Sequence, residues 1–184
     1  LYPYHPHEDL KDDLDEIYQI IRKDDHISGA INRHYGLRIL RQEPWECLSA
    51  FICSATSSIS RIHKNMESIA DAWGESLALD GHTRSTFPTP EQIARVGEDK
   101  LRELGLGFRA KYLHCAAIAI AEGALDLGEL RNIDYWDAKT KLMELSGIGP
   151  KIADCVLVFS LDKLEAFPID RWVSRALEKF YFDN

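Results

Sequence analysis

Leu142-Met143-Glu144-Leu145-Ser146-Gly147-Ile148-Gly149-Pro150-Lys151-Ile152-Ala153 is the stretch from which the rest of the chain is read. Asp134 can cap a helix running from Tyr135 to Leu145, which halts at Ser146-Gly147. Pro150 suits the first turn of the next helix, where its missing N–H is no loss, and that helix reaches about Phe159. The two are joined by a four-residue turn with two glycines. Glycine at 147 and 149 permits positive φ and close approach of a second molecule, while Ile148 between them can tuck into the core. The turn amides and the following helix N-terminus then face outward as donors for a phosphate. Lys151 falls in that helix's first turn, where the macrodipole and partial desolvation favour the neutral amine that imine chemistry needs. Two plainer readings stand beside these: a simple corner between helices, and a surface lysine beside a phosphate.

Beyond the lysine comes Phe167-Pro168-Ile169-Asp170-Arg171-Trp172, with its aspartate nineteen residues on. Asp170 is expected at a helix N-cap, its carboxylate fixed by backbone N–H groups and ionised. Such a cap is ordinarily structural. A fixed anion there can also stabilise the oxocarbenium-like charge that develops as a glycosidic bond breaks. The helix it starts is expected to carry Trp172, Val173, Ala176, Leu177 and Phe180 inward.

Upstream, nearly every periodic segment has helical spacing. Leu10, Leu14, Ile17 and Ile21 mark one stripe; Ile59, Ile62, Met66, Ile69 and Trp73 mark another. Pro44 after Glu43 opens a mostly apolar helix through Leu48, Phe51, Ile52 and Ala55, and Thr89-Pro90-Glu91 starts a short one. Asp99 to Leu104 is a brief helix stopped by Gly105, and Phe108 to Ala121 a longer one ended by Gly123. From Glu75 to Phe87 the pattern lapses, which reads as a surface loop. The expected architecture is all-α, one helical catalytic domain over residues 1–184 built as two subdomains flanking a cleft.

Composition narrows the function. With 45% hydrophobic and 28% charged residues, the chain is neither a disordered tail nor a disulfide miniprotein. No apolar run is long enough to span a membrane, so no membrane role is expected. Cys47, Cys53, Cys115 and Cys155 form no C-x-x-C pair and read as reduced, buried thiols of an intracellular protein; the seven histidines, His5 and His7 included, are assigned no metal. A net charge of −8 argues against gripping DNA by bulk electrostatics. However, residues 1–30 hold eight acids against Lys11, Arg22 and Lys23, and further bases cluster between Arg95 and Lys111, so a local cationic face is compatible with the acidic total.

Leu145 to Ala153 with the downstream Pro168-Ile169-Asp170 resembles the signature of the helix-hairpin-helix glycosylase superfamily. Glu43-Pro44-Trp45-Glu46-Cys47-Leu48, Phe51-Ile52-Cys53-Ser54, Leu104-Gly105-Leu106-Gly107-Phe108-Arg109-Ala110-Lys111-Tyr112 and Lys151-Ile152-Ala153-Asp154-Cys155 are similar, in the same order, to segments of its 8-oxoguanine DNA glycosylase family. The resemblance implies a bifunctional glycosylase/AP lyase of base-excision repair that flips oxidised guanine from damaged double-stranded DNA, attacks C1′ with Lys151 and cuts the strand by β-elimination, with Asp170 as its essential carboxylate. It further implies that Arg61 and Arg109 hold the orphaned cytosine while Phe108 wedges beside it. Cys155 and Ile152 would lie near the base pocket. Gly147, Ile148 and Gly149 would meet phosphate, and the carbonyls of Met143, Leu145 and Ile148 would bind a structural monovalent or divalent cation. No catalytic cofactor and no iron–sulfur cluster are implied. The expected state is a DNA-associated monomer, nuclear in a eukaryote and in cytoplasm or nucleoid otherwise.

Two positions depart from that family. Thr56-Ser57-Ser58 stands where it usually has asparagines, and Trp172 where it commonly has a phosphate-contacting histidine. Its N-terminal β-domain and C-terminal helix are expected to lie outside these residues. Three rivals remain: a non-catalytic helix-hairpin-helix DNA-binding module, a monofunctional glycosylase for alkylated bases or mismatched adenine, and an endonuclease III-like enzyme. Lys151 counts against the second and the cysteine spacing against the third.

Overall fold

The computed structural model describes residues 13–182, which divide into two compact units, one of residues 13–41 and 169–182 and the other of residues 42–168. Leu10, at the head of the first stripe, and the pair His5 and His7 lie outside the described residues.

The first unit opens with α1 (Leu14–Ile21) and α2 (Asp25–Arg33), capped by Asp13 and Asp24, whose carboxylates accept N–H groups of the first turn. The stripe does form a helix, but its buried residue is Tyr18 while Ile17 and Ile21 stay exposed. Tyr18 packs against Tyr35 at 5.3 Å and accepts the Gly36 amide at 3.1 Å.

The second unit holds α3 (Pro44–Ser54), α4 (Ile59–Trp73), β1 (Ser76–Leu79), β2 (His82–Ser85), α5 (Pro90–Val96), α6 (Glu98–Glu103), α7 (Arg109–Ala121), α8 (Leu127–Leu130), α9 (Tyr135–Met143) and α10 (Pro150–Ser160). Helix α3 begins as expected, with Glu43 at its N-cap and Pro44 in its first turn, and buries Leu48, Ile52 and Cys53. Thr89 and Gln92 close a reciprocal capping box at α5. One face of α7 is built from Ala110, Leu113, Ala116 and Ala117, all fully buried, and such small side chains allow α5 to approach closely. With Ile69, Ile93, Leu101, Leu106, Leu142, Val156 and Leu157 they form one core. Each large side chain buried there contributes about 1.5–3 kcal/mol relative to exposure.

The all-α expectation needs one correction. Residues 75–87 are not a loop throughout, because β1 and β2 pair antiparallel with Leu79 opposite His82. The Asp80-Gly81 turn, with φ of 49° and 79°, explains it: two consecutive left-handed residues make the tight turn whose twist matches that of paired strands. The chain then returns to the first unit through α11 (Arg171–Leu177) and a π-helical turn over Glu178–Phe182. There Tyr181 donates to Asp24 at 2.9 Å, and Phe180 meets the His26 ring at 4.7 Å.

Candidate active site

Helices α9 and α10 are joined by the glycine turn, as the sequence implies. The Ile148 amide donates to the Leu145 carbonyl at 3.1 Å, and Ile148 is buried. The two glycines differ, and only one uses the positive φ that both permit. Gly147 has φ 84°, and a Cβ on it would stand 2.4 Å from Cγ of Tyr112. Gly149 is extended at φ −96°, with open space where its Cβ would be. Its lack of a side chain therefore serves nothing inside the fold and keeps the mouth of α10 clear. Gly149 is also the N-cap of α10 and supplies no side-chain cap, so the first-turn amides have no side-chain partner from it.

Lys151 is half-buried, its Nζ lying 5.4 Å from the centre of the Phe51 ring, which in turn stacks on Phe159 at 5.7 Å. Cys155, one turn further along α10, is buried, and Ile152 is half-buried. The residue between them, Asp154, was not singled out in the sequence. Its carboxylate accepts the Tyr135 hydroxyl at 2.8 Å and two contacts from Lys139 Nζ at 2.8 and 2.9 Å, and Lys139 also donates to Tyr135 Oη at 2.9 Å. Burial pulls the Lys139 ammonium toward neutrality, but the bonds to Asp154 and Tyr135 prevail and hold its pKa above the ordinary lysine value. This cluster pins α9 to α10 just below the turn.

Arg61 is exposed and donates to the Gly105 carbonyl at 3.1 Å. Arg109 behaves differently: only 4% of it is exposed, and it donates to the carbonyls of Ala55 at 2.7 Å, Thr56 at 2.8 Å and Leu106 at 3.3 Å. Thr56 holds a left-handed φ of 50°, uncommon for a β-branched residue, and Arg109 clamps the backbone on both sides of that strain. Phe108 is half exposed, with the Arg109 guanidinium 4.6 Å from its ring centre.

Asp170 belongs to the first unit and caps α11 as expected, Oδ1 accepting the amides of Trp172 at 2.8 Å and Val173 at 2.9 Å. The expected burial of that helix is not found. No residue of α11 or of the π-helical turn is fully buried, Trp172 and Phe180 are exposed, and only Val173 and Leu177 of the five are even partly covered. Trp172 is flanked by the guanidiniums of Arg171 and Arg175 at 5.0 and 5.3 Å, a contact that satisfies an aromatic face without burying it.

None of the four cysteines is in a disulfide. Burial pushes the Cys47 and Cys53 thiols up to about 12, so both are protonated and unreactive at neutral pH. No helix among the described residues is long and apolar enough to cross a membrane.

A glycine turn between two helices, a lysine in the first turn beyond it and a capped aspartate further on define a class, and comparison with known proteins agrees. Residues 49–184 match the HhH-GPD superfamily of base excision DNA repair proteins, and the chain belongs to that superfamily. Residues 8–48 match the N-terminal domain of 8-oxoguanine DNA glycosylase. Among individual relatives, a probable N-glycosylase/DNA lyase of Methanothermobacter thermautotrophicus is 34% identical over 94% of this chain and 61% of its own. The N-glycosylase/DNA lyase of Saccharomyces cerevisiae is 40% identical over 79% of this chain and 42% of its own. The 8-oxoguanine glycosylase/lyase of Clostridium acetobutylicum, solved with double-stranded DNA carrying cytosine opposite 8-oxoguanine, superposes with a TM-score of 0.89 at 35% identity, covering 94% of this chain and 60% of that one. The chain thus spans about half the length of the relatives it matches.

Proposed function

We propose that this chain is the helical part of a bifunctional DNA glycosylase/AP lyase that removes oxidised guanine opposite cytosine from duplex DNA. The observation that carries the reading is Lys151 at the first turn of α10, directly after a glycine turn whose outer member, Gly149, has only open space beside it. Backbone donors at Gly147 and Gly149 would take a phosphate and bring the adjoining nucleotide to the lysine. The glycosidic carbon is shielded in the stack, so the base must be flipped out. The amine of Lys151 would then bond to C1′ as the bond to the base breaks, and opening of the sugar ring gives a Schiff base. Loss of a proton from C2′ expels the 3′ phosphate oxygen. Asp170, oriented by two amides, would as a carboxylate stabilise positive charge on the sugar and assist proton movement at the amine.

The opposing cytosine falls to Arg61 and to the two N–H groups of Arg109 beyond the three given to the carbonyls of Ala55, Thr56 and Leu106, with Phe108 filling the stack. Thr56 borders that place, Cys155 and Ile152 line the base side, and Trp172 meets the backbone. The carbonyls of Met143, Leu145 and Ile148 would hold a structural cation bridging to phosphate; that of Leu145, which also accepts an amide, keeps a second lone pair for it. The partner is damaged double-stranded DNA, bound by a single copy of the chain.

Borohydride trapping on a panel of lesion duplexes tests this. The parent should cross-link and nick an 8-oxoguanine:cytosine duplex, and Lys151→Gln should cross-link none. Asp170→Asn should lower excision by at least about 10²-fold while leaving duplex affinity within about tenfold. Cross-linking by Lys151→Gln equal to the parent moves the chemistry to another amine, and a parent that never cross-links leaves a DNA-binding module.

A further inference from the structure

Tyr112 stands where two parts of the proposed site meet. Its ring lies against Gly147 so closely that a Cβ there would be 2.4, 2.5 and 2.7 Å from three of its carbons. The same ring meets Phe108 edge-on, with centroids 6.0 Å apart and planes at 72°. Phe108 in turn lies under the Arg109 guanidinium at 4.6 Å, and that guanidinium grips the carbonyls of Ala55 and Thr56. An unbroken set of contacts therefore runs from the glycine turn through Tyr112 to the half-exposed Phe108 and on to the α3–α4 loop.

We propose that Tyr112 is a positioning residue that couples the phosphate-binding turn to the Phe108 wedge, so that seating a phosphate on residues 147–149 sets the angle at which Phe108 enters the stack. The inference rests on the reading of the site given above. At Gly147 the backbone meets the ring directly, with no side chain between to yield, so a shift of the turn passes to Tyr112. Tyr112 is packed on the core and against Gly147, so its freedom to respond is toward Phe108, which is half exposed. Contact alone does not establish coupling; a double-mutant cycle does.

The test uses 8-oxoguanine duplexes with 2-aminopurine next to the lesion, whose fluorescence rises when the stack opens. Tyr112→Phe, which keeps the ring, should match the parent. Tyr112→Leu should hold duplex affinity within about twofold and keep its salt dependence, yet lose about tenfold in stack opening and in base release. Gly147→Ala should also impair opening, but add little once Tyr112→Leu is present, because the element it pushes is gone. Tyr112→Met replaces Tyr112→Leu in the cycle if thermal melts show the leucine variant unfolded. Opening by the leucine or methionine variant equal to the parent's, or losses that simply multiply, overturns the coupling alone. A parent that opens no lesion duplex overturns the reading beneath it, and the coupling with it.

Discussion

The two glycines of the turn carry opposite burdens. Gly147 sits at φ 84° against Tyr112, so alanine there costs about 1–3 kcal/mol in backbone strain, and the ring must also move. Gly149 is extended with open space beside it, so Gly149→Ala should change stability by less than about 1 kcal/mol while weakening duplex binding at least about tenfold through the lost close approach. Denaturant melts and duplex titrations of both variants check this. Equal affinity for Gly149→Ala and the parent would show that no phosphate comes near. Arg109 has a second role that motif position does not reveal: the cation expected to meet the orphaned cytosine also gives three N–H groups to main-chain carbonyls, visible only once Ala55 and Thr56 are beside it.

Among the elements, starts and stops were the most legible part of the chain. Pro44, Thr89-Pro90, Asp134, Pro150 and Asp170 each begin the helix expected of them, since a cap acts on amides two or three residues away. The hairpin was legible too, in Asp80-Gly81 between Leu77-Leu79 and His82-Ser85, but a period-seeking eye sees only four-residue strands and a lapse. The Lys139–Asp154–Tyr135 cluster had no such signal, because its members come from two helices fifteen or more residues apart. A nearly buried ion pair is worth little net but costs much to break, so Lys139→Met should destabilise the second unit by about 3 kcal/mol at pH 7. The bonds to Asp154 and Tyr135 raise the lysine's folded pKa above its unfolded value. The contribution is therefore full below the ordinary lysine pKa and fades as pH rises through the folded one. The gap in stability between parent and variant should narrow above about pH 10.5, and a gap unchanged there would discard the assignment.

For the molecule as a whole, a net charge of −8 argues against a grip on DNA through a broad basic face. If the grip is a backbone turn and a few bases such as Arg61, the affinity should fall with salt at a logarithmic slope of only about −2 to −4. Titrations between low and moderate salt measure it, and a slope steeper than about −6 would require the broad cationic grip that the acidic total argues against.

Helix order, helix ends, the glycine turn and the lysine and aspartate that follow it were all readable from the residues, because each is specified by neighbours within a turn or two of the chain. The pairing of Lys139 with Asp154, the clamp of Arg109 on a left-handed Thr56 and the seat of Tyr112 beneath Gly147 became visible only in three dimensions. Such contacts depend on which helix faces report to one another, and local preference carries no information about that.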